Sequence, residues 1–71
     1  MSVSTHGTGV VVEFDELRGL GVIRGDDGAD VPFHCTAIAD GSRTVETGRR
    51  VSFAVVPGLL GRWEASGVEK L

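Results

Sequence analysis

"RGLGVIRGDDGADVPFHCT", Arg18 to Thr36, decides the fold. Gly19–Arg24 (GLGVIR) and Asp30–Cys35 (DVPFHC) are short apolar runs, and Gly25-Asp26-Asp27-Gly28 between them carries the Asp-Gly signal of a tight hairpin. A left-handed backbone is tolerated there, so the two runs pair as antiparallel strands. Pro32 has no N–H to give a ladder, which confines it to an edge, a bulge or a non-bonding position.

Upstream, Thr8–Phe14 (TGVVVEF) holds three consecutive valines of high strand preference and is joined to the second run by the polar bend Asp15-Glu16-Leu17. Downstream, Thr36–Ala39 has room for one helical turn, and Asp40–Gly48 is a long connection. Val51, Phe53 and Val55 then alternate with Ser52, Ala54 and Val56, giving a fourth strand with an inward face that stops at Pro57-Gly58. A glycine-flanked turn, Gly58–Gly61, leads to a fifth strand over Arg62–Val68, with Ala65 and Val68 inward. Eleven glycines interrupt the chain and no stretch sustains a helical apolar period. The sequence therefore predicts an all-β fold: a five-stranded antiparallel OB-fold barrel, whose closure removes the exposed edges of an open sheet. Residues 8–71 are expected to form this single domain, behind a flexible tail of residues 1–7 that includes His6.

Composition narrows the function classes. Hydrophobic residues at 41% and charged residues at 24% suit a folded globule, although 71 residues support only about 3–5 kcal/mol of net core stability. Seven Lys plus Arg against ten Asp plus Glu leave a net charge of −3, so no long-range field attracts phosphates, and the arginines are dispersed. The single cysteine, Cys35, excludes an intrachain disulfide or a multi-thiolate metal site and suits a reducing, cytoplasmic location. MSVSTHG lacks the features of a signal peptide, no segment has the apolar length of a membrane span, and no membrane partner or cofactor is expected.

The order of these motifs resembles that of the bacterial cold-shock proteins from Gly9 to Leu71. Two ribonucleoprotein-like motifs of that family read approximately KGFGFI and VFVHFS; the matching strings are RGLGVI (Arg18–Ile23) and VPFHCT (Val31–Thr36). The DDG turn, the pair Ala37-Ile38 and GRRVSF (Gly48–Phe53) fall in step. The resemblance implies binding of single-stranded RNA or DNA on a platform of aromatic rings carried by the first three strands. It implies a nucleic-acid site at Arg18, Leu20, Val22, His34 and Cys35, with no catalysis and no metal.

Carried over position by position, most rings of that platform are replaced. Glu13 stands for the tryptophan of the first strand, with Val12 for the lysine before it. Leu20 and Val22 stand for the phenylalanines of the first motif, and Pro32 and Cys35 for those of the second. Ser42 falls at the loop phenylalanine, Arg18 stands for the motif lysine, and His34 is kept. Large apolar residues remain at the inward positions Val11, Ile23, Val31, Phe33, Ile38, Val51 and Phe53. The expectation is a retained scaffold with weakened binding, since each stacking ring contributes about 1–3 kcal/mol. Val12, Leu20, Val22, Pro32 and Cys35 are expected to share one outward face. That face reads either as a contact patch for a protein partner or homodimer, or as ordinary surface aliphatics packed on arginine stems.

Several constellations are open to two readings. Trp63 either closes the barrel end, as befits a residue usually well buried, or replaces one stacking ring. Asp26, Asp27 and Asp30 lack the spacing of a calcium loop and read as a solvated turn. His34 is a base-contacting residue or a plain surface one; beside Cys35 it lacks a third group to orient a nucleophile.

Overall fold

Each apolar run of the sequence becomes a strand. In the computed structural model, which describes residues 5–58 and 62–71, the order is β1 (Thr5–Asp15), β2 (Leu20–Gly25), β3 (Asp30–His34), β4 (Arg50–Pro57) and β5 (Trp63–Lys70). One 3₁₀ turn, Cys35–Ala37, follows β3. All four ladders are antiparallel, and the spatial order is β3-β2-β1-β4-β5. The end strands β3 and β5 come back into contact, fastened by a bridge between Ile38 and Val68 and by Ala39 N–H donating to the Val68 carbonyl at 2.8 Å. This is the expected all-β OB-type architecture. Pro32 sits on β3, whose ladder runs along one side only, so its missing N–H removes no necessary bond.

The hairpin forms where the Asp-Gly signal lies. Gly28 has φ 89°, a left-handed value, and the Asp27 carboxylate accepts the Ala29 N–H at 3.0 Å. Arg24 then faces Asp30, Val22 faces Pro32 and Leu20 faces His34 across the β2–β3 ladder. Because paired residues share a face, this register decides which side chains look outward.

Strict alternation from buried Val11 would turn Glu13 inward and Phe14 outward. A bulge prevents this: Val11 pairs with Ile23 but Glu13 pairs with Val22, leaving Val12 as the extra residue. Glu13 is thereby exposed, and Phe14 joins Gly21 and Phe33 in one inward row. Gly21 has no side chain to separate the two rings; a Cβ there would lie 2.5 Å from Phe33 ring carbons. The rings stack across it with centroids 5.9 Å apart and planes 14° from parallel.

The core follows the inward pattern. Val11, Ile23, Val51 and Val68 have no solvent exposure, and Val31, Phe33, Ile38, Phe53 and Ala65 are nearly buried; Val55 packs against them only partly. Val45, in the long connection after the 3₁₀ turn, joins this core although no periodicity marks it. Three expectations need correction. Residues 5–7, expected in the tail, are strand: β1 begins at Thr5, and His6 pairs with Ala54 because the β1–β4 ladder continues past β2; residues 1–4 lie outside the described residues. β3 stops at His34, so Cys35 opens the 3₁₀ turn. Trp63 is 54% exposed and does not close the barrel end. The expected turn Gly58–Gly61 includes residues 59–61, which lie outside the described residues.

Candidate functional site

The outward face of β1–β3 is built from two adjoining rows. One is Asp15, Leu20 and His34, the other Glu13, Val22 and Pro32. Most of these side chains, with the bulge residue Val12, Arg18, Phe14 and the edge of Phe33, line an open cleft of about 650 Å³ that Thr47, Arg62 and Glu64 complete. Among the expected site residues, Arg18, Leu20 and Val22 are thus brought together. His34 sits in register beside Leu20 at the margin, its Nδ1 3.1 Å from Thr36 Oγ1 and 3.4 Å from the Thr36 N–H it caps.

Cys35 does not join the face. It is half-buried, packed against the core, with its sulfur 2.7 Å from where a Cβ on Gly19 would stand. The alternation of β3, with Val31 and Phe33 buried and Pro32 and His34 exposed, already turns position 35 inward, and the 3₁₀ turn that His34 caps begins there. Ser42 is likewise occupied, since its N–H and hydroxyl both donate to Asp40, at 2.9 and 2.7 Å. Phe14 is the residue that sequence reasoning overlooked. The bulge at Val12 sets its ring in the inward row beside Phe33, at the wall of the cleft, and nothing in a period-2 pattern announces a bulge.

Charge on and around this face is largely neutralised within the chain. Arg24 clasps Asp30 with two bonds of 2.8 and 3.1 Å, and Arg50 reaches Asp26 with two of 3.3 and 3.2 Å, where Thr8 also donates to the same carboxylate. These bonds hold the Asp30 and Asp26 carboxyls below the usual carboxylate range and raise Arg24. Arg18 lies 3.8 Å from Asp15, its side chain 78% exposed. Arg62 shares the cleft with Glu13 and Glu64.

A third acidic anchor ties the long connection to β5. Hydrogen bonds from Ser42 and then from Lys70, whose Nζ lies 3.2 Å from the carboxylate, hold Asp40 down to about 2. A carboxyl whose folded pKa is depressed stabilises the fold above its unfolded value and loses that contribution as pH falls through the folded one. For Asp40 the window runs from the ordinary 3.8 down to about 2, and Asp26 and Asp30 act in the same sense. The melting temperature is therefore expected to be flat from about pH 7 to pH 5 and to fall below pH 4. Asp40→Asn should flatten part of that fall; a variant with the same acid profile as the parent would show that Asp40 contributes nothing to it.

A five-stranded OB-type barrel with one open, ring-edged face on β1–β3 defines a class of small ligand-binding β domain. The family model described as the 'Cold-shock' DNA-binding domain matches residues 7–71, and the chain belongs to this cold-shock domain family. It is 44% identical over 64 residues to Cold shock protein CspD of Bacillus subtilis (strain 168), covering 89% of this chain and 96% of that protein. It is 43% identical over 70 residues to Cold shock-like protein CspG of Shewanella violacea, covering 96% and 97%. A solved structure described as drosophila Unr CSD456 superposes with a TM-score of 0.77 at 26% identity, covering 94% of this chain. This chain spans 27% of that longer one.

Proposed function

We propose that this protein binds single-stranded RNA or DNA weakly, as a nucleic-acid-binding protein of the RNA chaperone or transcriptional regulator class, through the outward face of β1–β3. The observation that carries this reading is the register, which sets Leu20 and Val22 beside His34 and Pro32 and next to the paired rings of Phe14 and Phe33. Family membership supplies the ligand class. Bases meet mainly aliphatic side chains there, so stacking is reduced to the exposed part of the Phe14 ring. Phosphates meet arginines that already hold carboxylates, and Glu13 repels them.

Weak binding is best mapped by amide chemical shifts during titration with a pyrimidine-rich oligonucleotide. Trp63 fluorescence is a poor reporter, because that ring lines a different cleft with Phe53, Val55 and His6. Shifts are expected at Arg18, Leu20, Val22, His34 and Phe14, and their amplitude should fall steeply as salt rises. Shifts centred on Trp63 and the Gly25–Asp30 hairpin, with none on these residues, would place binding elsewhere and overturn the reading.

A further inference from the structure

The β1–β2 turn displays a side chain for which the fold has no use. Leu17 is 99% exposed. It is nevertheless firmly placed: the Asp15 carboxylate accepts the N–H groups of Leu17 and Arg18 at 3.0 and 3.2 Å, and the Asp15 carbonyl accepts Gly19 N–H at 2.8 Å. Asp15 and Arg18, which bracket Leu17, both line the cleft whose apolar part is Val12, Phe14, Leu20, Val22 and Pro32. A leucine knob thus stands at the rim of an apolar groove that it does not itself enter.

We propose that a second copy of this chain occupies that groove, in a weak two-fold dimer where Leu17 of each protomer enters the cleft of its partner. A two-fold contact is self-complementary, so the same patch must supply both knob and hole, as this one does. Charge fits as well. Arg18 and Arg62 share the cleft lining with Glu13, Asp15 and Glu64, so a two-fold rotation can oppose arginine and carboxylate on both sides. A polyphosphate strand brings only negative charge to those three carboxylates, whereas a second copy brings two arginines along with its own three carboxylates. Few side chains take part, which places the dimer at the weak, transient end of protein interfaces. Dimer and nucleic acid use the same groove, so each excludes the other.

Sedimentation velocity on the full chain, without nucleic acid, from about 10 µM to about 1 mM tests this. The weight-average mass is expected to climb from 7.4 kDa toward twice that value. Leu17→Asp should weaken association about 100-fold, roughly tenfold for each buried leucine lost, with an unchanged thermal melt because Leu17 packs against nothing. Pro32→Glu, in the groove, should weaken it similarly. A chain that stays monomeric at the highest concentration, or a Leu17→Asp protein that dimerises like the parent, overturns the proposal. Adding oligothymidine to the dimer should release monomers; a ternary complex that keeps the dimer would overturn the shared groove. Because the dimer is measured first in the absence of nucleic acid, its failure is distinguishable from failure of oligonucleotide binding.

Discussion

Returning three rings to the β1–β3 face, with Glu13→Trp, Leu20→Phe and Val22→Phe together, is expected to raise oligonucleotide affinity by about 100-fold or more. At about 1 kcal/mol for each added stacking ring, the lower bound of the range, the gain is already about two orders of magnitude. Glu13→Trp also removes a negative charge from the path of the phosphates. All three positions point outward in the register, at rows that end in Pro32 and His34, so the new rings need no space in the core. Equilibrium titration of parent and triple variant at one salt concentration measures the effect. Equal affinities would mean that the face is not where bases stack.

Ile23→Ala is expected to unfold a large fraction of the protein at 25 °C. Ile23 is fully buried in the row that joins Val11 to Val31, and truncating such a residue costs about 2–5 kcal/mol in transfer and cavity terms. A domain of this size holds only about 3–5 kcal/mol in reserve. A loss of even about 2 kcal/mol should lower the melting temperature by about 8 °C or more. Leu20→Ala, on the exposed face, should change stability by no more than about 0.5 kcal/mol. Thermal and urea melts of the pair would separate scaffold from face, and equal losses in both would contradict that division.

The parts of this fold that are legible in the sequence are those where local chemistry and period agree. The Asp-Gly hairpin at Gly25–Gly28 and the alternation from Val51 to Val55 each carry their own signal, and the strands lie where these place them. Features set by partners distant in sequence are not legible. The bulge at Val12 is an agreement between β1 and β2, yet it alone exposes Glu13 and turns Phe14 into the row of Gly21 and Phe33. Val45 enters the core because the long connection folds back on the barrel, and an isolated valine among polar residues gives no period to detect. Cys35 falls off the face because the alternation of β3 sets Pro32 and His34 outward and position 35 inward, a parity that the position-by-position resemblance overrode.

The same division applies to charge. Counting residues gives the net −3 but not the pairing, and pairing decides whether an arginine is available to a ligand. Arg24 and Arg50 are committed to Asp30 and Asp26, pairs that join β2 to β3 and the hairpin turn to β4. The cations left near the cleft, Arg18 and Arg62, share it with as many acids and one more.

The dissociation constant for a pyrimidine-rich single strand at about 0.15 M salt tests most directly whether the barrel has outlasted its ring platform. A value of about 100 µM or weaker, in the range of charge-driven non-specific binding, is predicted. A value of about 1 µM or tighter, with shifts on Arg18, Leu20, Val22 and His34, would mean that an aliphatic face binds bases as well as a ring-lined one and would contradict the weakened platform.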